Sequence, residues 1–98
     1  MNKDQIIQIL KQNRAAIAPF HVRALYIFGS VARDEATDKS DVDIMVEFEP
    51  DAHIGLFEFE RLQRVLSKLV GRNVDLATRD SLHSALKSQI LREAIYAA

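Results

Sequence analysis

With 98 residues the chain can bury one hydrophobic core, so a single domain over 1–98 is expected, with no separate module to hold a second substrate. Apolar residues (48%) and charged residues (28%) are in ordinary globular proportion, and a net charge of −1 gives no electrostatic footprint for strong nucleic-acid binding, which disfavours a DNA polymerase. The absence of cysteine excludes disulfides and thiolate zinc sites, and neither a membrane-length apolar run nor a signal-peptide core is present, so a cytoplasmic setting is expected.

Residues 2–16 carry Ile6, Ile7 and Leu10, with Ile17 beyond, at near-helical spacing; Asn2 is set to cap this helix, with Gln5 in the capping-box position. Pro19 breaks the helix. His21 has no second histidine at ligand spacing and reads as a strand-entry residue. The run Ala24 to Phe28 is apolar, aromatic and β-branched, the composition of a buried strand, and it stops at Gly29-Ser30. Glycine allows a sharp exit with positive φ, Ser30 is placed to cap a helix beginning at Val31, and Arg33 falls on that helix's first turn. Unpaired amides, a hydroxyl and a helix N-terminus then converge on an anion-sized space. The same turn serves equally well as a plain connection.

A charged connection, 34–39, leads into Ser40 to Phe48, where apolar and acidic residues alternate with the period of a strand. In that period Asp41 and Asp43 share a face, their α-carbons roughly 7 Å apart. Two oxygen ligands without cysteine suit a hard ion such as magnesium or manganese. Alternatively, Asp41 caps a turn and Asp43 is a solvated residue at the start of the strand.

Pro50 interrupts a polar loop over 49–53. From 54 or 55 to Val70 the stripe Leu56, Phe59, Leu62, Leu66 and Leu69, widened by Val65 and Val70, marks a long amphipathic helix covering the sheet, with Phe57 also expected in core contact. Gly71 closes it, and 73–77 follows as a short strand. Asp75, between Val74 and Leu76, must point to the opposite face, either as a third site acid or as a strand-end hydrogen-bonding group. A last helix, 81–96, places Leu82, Leu86 and Ile90 at helical intervals, with Asp80 as its cap and His83, Lys87 and Arg92 turned outward. The expected fold is α+β, in the order αβαβαβα, with a small mixed sheet of strands near 23–28, 41–48 and 73–77.

Gly29-Ser30, ten residues, then Asp41-Val42-Asp43 resembles the minimal nucleotidyltransferases of the DNA polymerase β superfamily. Many of those relatives read Ala-Arg-Gly where this chain has Ala32-Arg33-Asp34. The resemblance implies metal-dependent transfer of AMP from ATP, with pyrophosphate leaving. It implies Asp41, Asp43 and Asp75 as catalytic acids and ligands of Mg2+ or Mn2+, and Gly29, Ser30 and Arg33 as the nucleotide-binding residues. Minimal proteins of this kind often pair with a HEPN ribonuclease toxin and act as its antitoxin by adenylylating it, so the implied acceptor is a tyrosine hydroxyl on that partner. The loop 50–54 and the start of the next helix are then expected to flank the acceptor, opposite the 34–39 connection. Two other readings belong to different classes. One is a non-catalytic antitoxin that works by binding alone; the other is an antibiotic-type nucleotidyltransferase, for which a homo-oligomer would have to supply the small-molecule pocket.

Overall fold

The computed structural model describes residues 2–98. Asn2 and Gln5 form the reciprocal cap expected of them: each side chain accepts the other's backbone N–H at 2.9 Å, at the head of α1 (Lys3–Gln12). The helix ends earlier than the expected Ala16. Asn13 donates its side-chain amide to the Ile9 carbonyl at 2.7 Å, and the chain restarts as one turn, α2 (Arg14–Ile17), followed by a 3-10 turn over Ala18–Phe20. A short amide side chain that bonds nearby backbone competes with helix continuation. His21 closes the turn with φ +57° and delivers the chain to β1 (Val22–Phe28).

After the single turn α3 (Gly29–Ala32), β2 (Val42–Phe48) returns antiparallel to β1. Helix α4 (Leu56–Val70) then crosses over to β3 (Val74–Thr78), which pairs parallel to β2, as a strand reached through a helix must when it lies alongside in the same direction. The mixed sheet carries one strand more than expected. The reading that ran the last helix to Tyr96 is corrected: α5 (Ser84–Glu93) stops at Ala94, whose extended backbone leads into β4 (Ile95–Tyr96), antiparallel to β1. The Ala97 amide donates to the Leu25 carbonyl, and the Leu25 amide to the Ala98 carbonyl, each at 2.8 Å. Strand order is β3-β2-β1-β4. At the β3 edge, Ser67 and Ser81 hydroxyls accept the Val74 and Thr78 amides at 3.0 Å, which blunts an edge otherwise open to strand addition.

Strand alternation divides the sheet into two faces. Leu25, Ile27, Val42, Ile44, Val46, Val74 and Leu76 join Ile6, Leu10, Leu62, Leu66 and Val70 of the helices in one core. Leu56 and Phe57, expected in the stripe and the core, are instead 72% and 80% exposed, because α4 buries side chains fully only from Leu62 onward and its first turn has not reached the sheet. Helix α5 departs further from expectation: it buries none of its residues, so the Leu86 and Ile90 spacing does not mark a packed face. Asp80 does not cap it either. Asp80 sits inside a 3-10 turn over Arg79–Ser81 capped by Thr78, and α5 is capped by His83, whose Nδ1 accepts from the Ala85 amide at 3.2 Å. Gly71 ends α4 with φ +77°, as its position predicts. Among the described residues no helix is long and apolar enough to cross a membrane.

Candidate active site

Since β1 is antiparallel to β2, and β2 parallel to β3, the end of β1 and the beginnings of β2 and β3 meet at one end of the sheet. Phe28 lies opposite Asp43, and Asp43 opposite Asp75. Neighbouring strands are about 4.8 Å apart, so the two carboxylates start from adjacent points on the same face. That face is the one turned away from the core, as the buried neighbours Val42, Ile44, Val74 and Leu76 require. Asp41 is exposed two positions upstream, where the chain enters β2. The three charges are close enough to interact. The Asp43 carboxyl is pushed up to about 6, first by burial, then by the charges of Asp75 and Asp41, with Arg33 opposing them.

Gly29 abuts this group. Its φ is +72°, and a Cβ there would collide with the Asp43 carboxylate, lying 3.0 Å from its Cγ and 3.3 Å from its Cβ. Glycine is therefore required twice, for the left-handed turn and for the close approach of backbone to acid. Ser30 does not cap a helix starting at Val31, as its sequence position suggests. Helix α3 begins at Gly29 with Phe28 at the N-cap and no side-chain cap, so Ser30 is its second residue, half-buried. The first amides of such a turn find no partner within it and remain suited to an anion.

Arg33 is likewise displaced from the first turn to the C-cap. Its guanidinium donates from Nε to Glu35 and from Nη1 to Glu93, each at 3.1 Å. Asp34, the departure from the glycine of many relatives, has φ +59°. It occupies the left-handed position of a Schellman turn, in which the Asp34 amide donates to the Val31 carbonyl at 3.2 Å and the Glu35 amide to the Ser30 carbonyl at 2.8 Å. Lys3 Nζ meets the Asp34 carboxylate at 2.8 Å, so the substitution gains a partner on α1. Asp is among the residues that tolerate this conformation.

The 34–39 connection leads into Asp41 and is held to the corner between α4 and β3 by Arg72, which donates to the Thr37 carbonyl at 3.3 Å. The loop 50–54 and the start of α4 do not approach the acids. They follow Phe48, five residues along β2 from Asp43 and so roughly 16 Å away at the opposite end of the sheet. A groove of about 470 Å³ lined by Val46, Glu47, Phe48, Thr78, Arg79 and Asp80 also lies toward that far end. The acids themselves border open surface.

Among the described residues no three His, Cys, Asp or Glu side chains close into a ready-made metal cage. The donor set nevertheless fits a hard divalent ion. Magnesium is usually held by one or two carboxylates, with water and substrate phosphate oxygens completing its shell. Sequence reasoning missed Glu35 and Glu93 as partners of Arg33. Glu93 lies 60 positions away, beyond the reach of any local pattern.

The pattern of the nucleotidyltransferase domain matches residues 3–97. The chain is similar to the protein adenylyltransferase MntA of Thermococcus cleftensis, 43% identical over 77 residues, which are 79% of this chain and 76% of that protein. A solved structure provisionally described as a minimal nucleotidyltransferase superposes with a TM-score of 0.70 at 35% identity, covering 97% of this chain and 95% of the other. The MNT antitoxin complex of a tri-AMPylated Shewanella oneidensis HEPN toxin shares the fold, with a TM-score of 0.58 at 19% identity over 90% of this chain and 71% of that one.

Proposed function

The chain belongs to the nucleotidyltransferase domain family, and from that premise we propose that it transfers AMP from ATP to a tyrosine hydroxyl of a partner HEPN-family toxin, acting as the antitoxin. The observation that carries the reading is the pairing of Asp43 with Asp75 across β2 and β3, on the face opposite the core, directly against the Gly29 turn. The similarity to a protein adenylyltransferase supports AMP as the group moved and a protein as the acceptor. The shared fold of an antitoxin bound to an AMPylated HEPN toxin supports the kind of partner.

In this reading Asp41 and Asp43 hold the divalent ion and Asp75 joins them on the acceptor side. When bound, Mg2+ or Mn2+ offsets the mutual repulsion of the acids and draws negative charge from the phosphate oxygens. The Gly29-Ser30 turn presents backbone amides and a hydroxyl to the triphosphate, and Arg33 adds a fixed positive charge. The acceptor oxygen forms its bond to the α-phosphorus while the bond to the bridging oxygen of the β-phosphate breaks. Pyrophosphate departs with that electron pair, and Asp75 accepts the hydroxyl proton. Burial and the like charges of Asp75 and Asp41 disfavour the ionised form of Asp43, and a bound cation would offset that cost. The acceptor approaches at the end of the sheet where the acids lie, beside the 34–39 connection.

Co-expression with the protein of the neighbouring gene, followed by intact-mass measurement with ATP and Mg2+, tests the proposal. The neighbour should gain one or more AMP units, and should gain none with Asp41→Asn or Asp43→Asn. A stable complex of unmodified masses would replace transfer with binding alone.

A further inference from the structure

The arginine beside the phosphate turn is held at two edges of its guanidinium. Nε donates to Glu35 and Nη1 to Glu93, each at 3.1 Å, and neither bond uses Nη2. The two carboxylates are differently placed. The Glu35 side chain is 64% exposed, whereas that of Glu93 is 25% exposed and also accepts from Gln89 Nε2 at 3.1 Å. Glu93 is the last residue of α5, a helix with no fully buried residue, but two residues later Ile95 pairs with Ile27 of β1. Its place is therefore fixed by the sheet. Arg33 is fixed as firmly from the other side, since it follows α3 and precedes the left-handed Asp34. Arg33 closes the same turn whose first residue, Gly29, abuts the Asp43 carboxylate.

We propose that Glu93 is a positioning residue for the triphosphate: it orients the Arg33 fork so that the remaining N–H groups face the polyphosphate. The inference rests on the nucleotidyltransferase reading above. A guanidinium is a rigid planar fork with five donors, and a carboxylate on one edge fixes where the others point. Outer partners that orient a ligand-binding side chain commonly matter to affinity even though they touch no ligand. An arginine free of Glu93 would have to lose its rotamer freedom on binding. The opposing consideration is charge. Glu93 also repels phosphate and competes for the same guanidinium, so the sign of its removal separates positioning from competition.

The test is a double-mutant cycle on the whole chain, reading the dissociation constant of a non-hydrolysable ATP analogue with Mg2+. Glu93→Gln keeps the shape and removes the charge, and melting curves for each variant ensure that folded protein is compared. Positioning predicts that Glu93→Gln weakens binding by about three- to tenfold, the scale of one ordinary net hydrogen bond. In an Arg33→Gln background the same change should have no further effect. Unchanged or tighter binding by Glu93→Gln overturns the inference, as does a loss that persists undiminished without Arg33. Gln89→Ala loosens Glu93 without altering charge and should shift binding in the same direction, so an unchanged constant there also counts against it. A parent chain that binds no nucleotide would instead sink the nucleotidyltransferase reading itself.

Discussion

The two faces of the sheet differ in kind. The covered face is apolar throughout, with Leu25, Ile27, Val42, Ile44, Val46, Val74 and Leu76 packed under α1 and α4. The other is mixed: Ala24 and Met45 are buried in its middle, while Tyr26, Phe28, Asp43, Glu47, Asp75 and Tyr96 also stand on it, with Tyr26 and Tyr96 edge to face at 5.8 Å. Both faces come from the same strands, since alternate residues point to opposite sides. One face therefore provides the burial that holds the fold, while the other can carry acids that repel one another. Substitutions on the two faces should consequently fail in different ways.

The largest expected effect is on activity, from the acid-bearing face. Asp43→Asn should lower transfer by about a thousandfold or more, the scale of removing a charged metal ligand, as read by labelled AMP incorporation. The same variant should melt higher than the parent at pH 7.5 without metal. The folded chain keeps the Asp43 proton up to about pH 6, whereas the unfolded chain releases it near 3.8. Between those values stability falls as pH rises, and asparagine removes that loss; below the unfolded value, at about pH 3, the advantage should nearly vanish. On the covered face the ordering reverses. Leu66→Ala should cost about 2–5 kcal/mol in denaturant unfolding, while nucleotide affinity of the folded fraction stays unchanged.

Gly29→Ala joins the two kinds of failure, because that residue is both a left-handed turn and the neighbour of an acid. Its backbone penalty alone is about 1–2 kcal/mol, and the collision with Asp43 should impair transfer as well. Phe57→Ser should shift stability by no more than about 0.5 kcal/mol, since the ring is 80% exposed. A large loss of stability there would mean that the first turn of α4 packs after all.

The sequence made visible what depends on near neighbours. The Asn2 and Gln5 cap, the Gly29 turn, the alternation from Val42 to Val46 and the Gly71 stop each rest on residues within a few positions of one another. The placement of Asp41, Asp43 and Asp75 at one end follows from those strands once their directions are known. What escaped is set by distant contact. Ile95 and Tyr96 suit a helix as well as a strand, and only pairing with β1 decides between them. The apolar spacing of α4 and α5 looks alike, yet one helix buries Leu62, Leu66 and Val70 over the sheet and the other buries no residue fully. Arg33 was legible as a charge near the turn, but its Glu93 partner comes from the opposite end of the chain. Asp34 was visible as a departure, and its left-handed backbone is the reason glycine is usual there.

The claim on which everything else depends is that the carboxylates Asp41, Asp43 and Asp75 jointly hold a divalent ion with the triphosphate. The most direct measurement is the melting temperature against Mg2+ or Mn2+, with a non-hydrolysable ATP analogue present, for the parent and Asp43→Asn at pH 7.5. The parent should be stabilised by about 2.7 kcal/mol at a hundred times the dissociation constant, and Asp43→Asn by little or nothing. Equal stabilisation of both proteins, or of neither, would contradict the account.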